Sequence, residues 1–135
     1  MRPGDVMRIR LRNNLVDGFT NLHFHGLSVS PRARSDNVFV HVLPGREFDY
    51  EVTIPSAGRQ GPGLFWYHLH GHGFVTKQVL GGLSGALVVD GSEILFPILK
   101  DLPERFLLVK HAQPGGGREV ISINGDEPGG GHPAR

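Results

Sequence analysis

Eight histidines in 135 residues stand out in this chain, and four of them fall in two matched patterns, His23-Phe24-His25 and His68-Leu69-His70. A β-strand turns alternate side chains to one face, so each pattern projects two imidazoles together, about 6 to 7 Å apart. Imidazole nitrogen is the commonest side-chain metal ligand and binds transition metals at about 2.0 to 2.1 Å. Rings at this spacing can flank one ion or serve neighbouring ions. Neither motif contains a carboxylate, and nitrogen-only donors suit copper or zinc while being poor for magnesium or calcium. The affinity order favours copper, and zinc stays open. One such pair is also compatible with imidazoles that bind nothing. Two pairs, each followed by a glycine (Gly26, Gly71) that admits close backbone approach, point to a metal.

The remaining histidines carry less. His72 continues the alternation, but Gly71 and Gly73 argue against a continuing strand, so a rim position is expected. His41 has no partner by spacing, and His111 and His132 fall in a turn and in the tail. Trp66 and Tyr67, beside the second pair, are expected to pack in the core rather than relay electrons.

The elements that must hold the two pairs read as short strands. Gly 20 and Pro 10 imply many turns, which favours strands over long helices. From Val6 to Arg12, Met7, Ile9 and Leu11 alternate with Arg8, Arg10 and Arg12, a half-buried strand whose basic stripe reads as a solvated edge rather than a nucleic-acid surface. Glu47 to Ile54 alternates equally clearly, with Phe48, Tyr50, Val52 and Ile54 on one face. Further strands are expected at Asn21 to Val29, Val38 to Val42, Leu64 to His70, Ser84 to Val89, Arg105 to Lys110 and Glu119 to Ile123, with a helical turn at Val75 to Leu80. Glu93 to Glu104 reads as a long connection, and the segment 124–135 as a linker or the start of a following domain, leaving one domain over 1–123. Seven or eight short strands imply an all-β, antiparallel sandwich or barrel with Greek-key connections.

Composition removes several function classes. Lys+Arg 14 against Asp+Glu 13 leaves no strong field of one sign for nucleic acid or an acidic membrane. Cys 0 excludes disulfides, thiolate zinc sites, iron–sulfur clusters and cysteine nucleophiles within this chain. No apolar run approaches the roughly 18 residues that suggest a membrane span, and no basic leader with an apolar run opens the chain.

Five segments in register carry a family resemblance: Arg2-Pro3-Gly4-Asp5 entering a strand, Asn21-Leu22-His23-Phe24-His25-Gly26, Pro44-Gly45 before Phe48-Asp49-Tyr50, Gly63 to His70, and Gly82 to Val89. Together they resemble the N-terminal, plastocyanin-like (cupredoxin) domain of multicopper oxidases, the laccase-like enzymes, strongly over residues 2 to 90 and weakly from Arg105 to Pro128. The resemblance implies a cupredoxin-like Greek-key fold lacking its first strand. It implies that His23 binds the type 2 copper of a trinuclear cluster, that His25 and His68 share one type 3 copper, and that His70 holds the other. It implies oxidation of a small reducing substrate coupled to reduction of dioxygen to water. The other cluster ligands and the cysteine-bound copper belong to a C-terminal cupredoxin domain, of the same protein or of another subunit. The chain is therefore expected to be a fragment, inactive by itself, of a periplasmic or extracellular oxidase.

Three other readings compete. A stand-alone copper carrier would use the same four histidines. A zinc hydrolase or cupin-like enzyme would want a carboxylate soon after His25, which Gly26 to Pro31 does not offer. A metal-free structural cupredoxin is the third.

Overall fold

The computed structural model describes residues 1–126. Seven strands and two short helices follow in chain order: β1 Val6–Arg12, β2 His23–His25, β3 Glu47–Thr53, β4 Gly63–His68, α1 Val75–Leu80, β5 Ser84–Val89, α2 Ser92–Leu95, β6 Val109–Ala112 and β7 Val120–Ile123. Every pairing is antiparallel. β1 pairs with β3 over seven residues, whereas β2, which lies between them in sequence, joins β4 and β5 in a second sheet. β6 and β7 form a hairpin-like pair of their own. The chain thus passes from one sheet to the other and back, and the two larger sheets share one core.

That core follows from the alternation. Tyr50 and Val52 point inward from β3, with Ile54 just beyond it, and meet Leu22, Phe24, Leu69, Leu87 and Val89 from the second sheet and its flanks. Met7, Ile9 and Leu11 of β1 pack against the same cluster. The outward stripes of β1 and β3 are complementary: Arg8 meets Glu51 at 3.0 Å, Arg10 meets Asp49 at 2.7 Å, and Arg12 meets Glu47 at 3.6 Å. The arginine stripe is solvent-exposed on an edge strand, as expected, and is in addition paired across the ladder with carboxylates. Arg10 hydrogen-bonds the Asp49 carboxylate and holds its pKa below the usual value. Close packing of the second sheet depends on Gly85, where an added Cβ would lie 2.5 Å from the ring of its cross-strand partner Tyr67.

Strands are shorter than the apolar pattern suggests where polar side chains take over backbone partners: Asp36 and Gln60 for β2 and its continuation, Asn21 and Asn37 for Val38 to Val42, and Asn124 ahead of β6. The expected strand from Asn21 to Val29 is paired only at His23–His25. Asn21 lies buried before it, and Gly26, at φ +88°, turns the chain after it. The segment from Val38 to Val42 forms no strand beyond an isolated Thr20–Val42 bridge. Asn21 donates to the Val38 and Val40 carbonyls, and the Phe39 N–H donates to Asn37. Likewise the expected strand at Arg105 to Lys110 begins only at Val109, because Asn124 receives the Leu108 N–H and donates to the Phe106 carbonyl. The connection from Glu93 to Glu104 holds most of α2 and a single 3₁₀ turn, Pro97–Leu99. His132 and all but the first three residues of the segment 124–135 lie outside the described residues.

Candidate metal centre

The register of the second sheet brings the two histidine patterns together. In the β2–β4 ladder His23 lies opposite His68, Phe24 opposite Tyr67 and His25 opposite Trp66. His23 and His25 leave β2 on the same face that His68 leaves from β4, while Phe24 turns into the core. β4 ends at His68, two residues short of the expected strand, because the His70 N–H donates to the Asn21 side chain at 2.8 Å instead of to a neighbouring strand. This bond, made by a fully buried amide, sets the backbone at His70.

Four imidazoles converge as a result. The His23 ring is 5.6 Å from His25, 5.3 Å from His68 and 5.3 Å from His70, centroid to centroid. His68 is 6.2 Å from His25 and 5.6 Å from His70. Rings sharing one tetrahedral ion through bonds of about 2.0 to 2.1 Å lie about 5 Å apart by their centroids. The observed separations are of that order. Among the described residues, however, no three histidine, cysteine or acidic side chains close on a common point as a ready single-ion cage.

Two of the rings are oriented through Nδ1. His68 Nδ1 lies 3.0 Å from the Leu69 carbonyl oxygen, an acceptor, so this nitrogen carries the proton and Nε2 keeps its lone pair. His23 Nδ1 lies 3.0 and 3.1 Å from the two oxygens of Asp36, which also accepts the Phe24 N–H at 2.9 Å. A carboxylate behind an imidazole fixes its tautomer and raises its basicity as a ligand. Burial pushes the His68 pKa down, helped by the three neighbouring imidazoles, and so favours the neutral ring that metals bind.

Asp36 carries no signal in the sequence, where it sits in what reads as a polar loop. Its separation from His23 carries no periodic signal; only the path of the loop brings the two together. Asn21 was legible only as part of a motif. Of the other candidates, His72 is exposed in the turn entering α1. The His41 ring lies 3.9 Å from that of Phe19, centroid to centroid and tilted by 32°, and His111 faces Glu119 at 3.4 Å. Tyr67 packs against the core as expected, but Trp66 does not: it is 40% exposed on the face of the imidazoles. A cavity of about 530 Å³ between Leu15, Phe74, Leu80 and Gln113 includes none of the four histidines.

Comparison with known proteins gives one consistent answer. Residues 1–93 match the sequence profile described as multicopper oxidase. An iron transport multicopper oxidase of Gibberella zeae is 32% identical over 109 residues, covering 78% of this chain and 16% of its own length. A multicopper oxidase of Staphylococcus haemolyticus is 37% identical over 93 residues, covering 69% of this chain and 20% of its own length. The chain thus spans about a fifth or less of these relatives. Among solved structures, a multicopper oxidase from Campylobacter jejuni, described as a metallo-oxidase, superposes with a TM-score of 0.70 at 30% identity, covering 93% of this chain and 28% of that one. A variant of the multicopper oxidase McoA of Aquifex aeolicus, 24% identical, shares the fold with a TM-score of 0.68 over 92% of this chain and 30% of its own. The antiparallel architecture is accordingly cupredoxin-like, and with residues 1–93 under the family profile the chain belongs to the multicopper oxidases.

Proposed function

We propose that residues 1–123 form the N-terminal cupredoxin domain of a multicopper oxidase and supply half the histidine ligands of its trinuclear copper cluster. His23 would hold the type 2 ion, His25 and His68 one type 3 ion, and His70 the other. The observation that carries this reading is the convergence of four imidazoles from β2, from β4 and from just beyond it to centroid separations of 5.3 to 6.2 Å. The donor set fits copper: four nitrogen donors, no carboxylate among them, and two rings whose Nδ1 is already engaged so that Nε2 is the free donor. That the four do not close into a cage agrees with ions completed by ligands from a second domain.

Copper held there would supply the one-electron steps that take dioxygen to water while a small reducing substrate is oxidised. This chain's own part is positional. Asp36 and the Leu69 carbonyl orient His23 and His68, and Asn21 sets the backbone of His70. With Cys 0 the chain has no thiolate for an electron-accepting copper, so that site would come from a C-terminal cupredoxin domain of the same protein or another subunit. Alone, the chain would be inactive as an oxidase. The enzyme would act in the periplasm or outside the cell.

The rival is a stand-alone copper carrier built on the same four rings. Cu(II) titrated into the chain, followed by calorimetry and electron paramagnetic resonance, separates the two. The proposed role expects weak binding alone and a magnetically coupled pair only when a C-terminal cupredoxin domain is supplied. A carrier instead binds one ion tightly and never forms the pair. His25→Ala and His68→Ala should each abolish the coupled pair with the fold retained, and His111→Ala should change nothing. Equal copper in all three variants would refute the ligand assignment.

A further inference from the structure

His68 is 6% exposed, although it belongs to the outward face of β4, on which Leu64 is 54% and Trp66 40% exposed. What covers it is a set of rings. The Trp66 indole stacks on the His68 imidazole at 4.4 Å and 23°, and the same indole lies 5.1 Å from His25 at a tilt of 40°. Both contacts follow from the register, since Trp66 is two residues before His68 on β4 and directly opposite His25 on β2. On β5 the residue opposite Trp66 is Ala86, too small to compete for the space above the sheet. Trp66 also lines a cleft of about 310 Å³ with Val79, Ser84 and Lys110. Lys110 in turn is anchored to the Gly82 and Ser84 carbonyls.

We infer that Trp66 is a positioning residue for the copper centre, its indole fixing the ring planes of His25 and His68 together and closing the cleft off from His68. This inference rests on the copper reading of those two histidines. One flat side chain touches both rings that the reading assigns to a shared ion, and the two rings come from different strands. An imidazole held by a single hydrogen bond, as His68 is through Nδ1, can still rock about that bond. A stacked indole removes this freedom at small entropic cost, because it is a rigid ring with only two χ angles of its own to fix. Truncating Trp66 to an aliphatic side chain would leave both rings free to rotate and would open His68 to water from the cleft. A second flat ring at this position would retain most of the effect.

The experiment uses the full chain, with Cu(II) as the probe, and compares wild type, Trp66→Leu and Trp66→Phe. The expected result is an approximately tenfold or larger weakening of copper binding in Trp66→Leu, with an altered paramagnetic resonance spectrum and most of both recovered in Trp66→Phe. In the metal-free chain, the His68 ring protons should be shifted upfield by the indole ring current and should lose that shift in Trp66→Leu. Copper bound by wild type and Trp66→Leu with equal affinity and the same spectrum would overturn the inference and leave the proposed function standing. Where binding by the isolated wild-type chain is too weak to measure, the same comparison is made with a C-terminal cupredoxin domain supplied: an equal coupled-pair signal in wild type and Trp66→Leu overturns the inference, and no copper bound by wild type there overturns both. Should Trp66→Leu fail to fold, nuclear Overhauser contacts between the indole and the His68 ring in the wild-type chain decide the matter, and their absence sinks the inference.

Discussion

The two larger sheets of this chain solve different problems. β1 and β3 pair over seven residues without interruption, bury one stripe and tie the other across the ladder with arginine–carboxylate pairs. β2 pairs over three residues only, and β4 stops as soon as it has delivered His68. Around these short strands, side chains replace the ladder: Asn21 on the His70 N–H, Asp36 on the Phe24 N–H and Gln60 on the Ser28 N–H. The first sheet is scaffold, made of repeated local interactions. The second is a platform whose edges are set by individual polar side chains reaching in from loops, so that four rings can share one face. Regular pairing gives rigidity, but bringing four imidazoles together takes positions that a straight ladder does not offer.

Damage to the scaffold and damage to the platform should therefore have separable consequences. The largest effect on stability is expected for Ile54→Ala, which removes a fully buried side chain at the end of β3. It should cost about 2 to 5 kcal/mol in urea unfolding while copper bound per folded chain stays the same. A loss of copper from the folded variant would blur the distinction. Next comes Asp36→Ala, which strips the partner from His23 Nδ1 and from the Phe24 N–H. Roughly 1 to 3 kcal/mol of stability and about 10- to 100-fold of copper affinity should go together, measured on the same preparation. Stability lost with affinity intact would mean that the loop only supports the fold.

A smaller effect is expected at alkaline pH, from the scaffold's own buried phenol. Tyr50 is 1% exposed and accepts the Leu22 N–H, and burial pushes its pKa up from 10.0 to about 12. Between these values the folded chain keeps a proton that the unfolded chain has lost. Stability is therefore whole below pH 10 and falls as pH rises from 10 towards about 12. Denaturant midpoints measured across that range should decline in the wild type and flatten in Tyr50→Phe. The smallest effect is expected for Arg8→Ala, which breaks an exposed pair with Glu51. A change within about 0.5 kcal/mol and no change in copper binding would fit a screened surface pair.

Much of this organisation is already legible in residue order. The strands at Val6–Arg12 and Ser84–Val89 and the helix at Val75–Leu80 fall where the pattern puts them, because alternation or compact apolar runs there meet no competing side-chain acceptor. The elements that differ, at Asn21 to Val29, Val38 to Val42 and Arg105 to Lys110, have apolar or β-branched residues but polar side chains close by in space: Asp36 and Gln60 for the first, Asn21 and Asn37 for the second, Asn124 for the third. Local propensity does not reveal that a polar side chain elsewhere in the chain will take the backbone partner. Trp66 shows the same limit. As an aromatic beside a strand it reads as core, yet the parity of β4 puts it on the outer face among the imidazoles.

What residue order determined by itself was the pairing of His23 with His25, since two residues separated by one must leave an extended backbone on the same side, and the absence of cysteine, which leaves imidazole as the nitrogen donor whatever the fold. What only the tertiary structure decided was that the two pairs meet. That required the β2–β4 register placing His23 against His68, a loop carrying Asp36 behind His23, and a buried amide from Asn21 setting the backbone at His70. These are contacts between residues distant in the chain. No local pattern encodes them, because their energies arise only once the core has drawn the strands together.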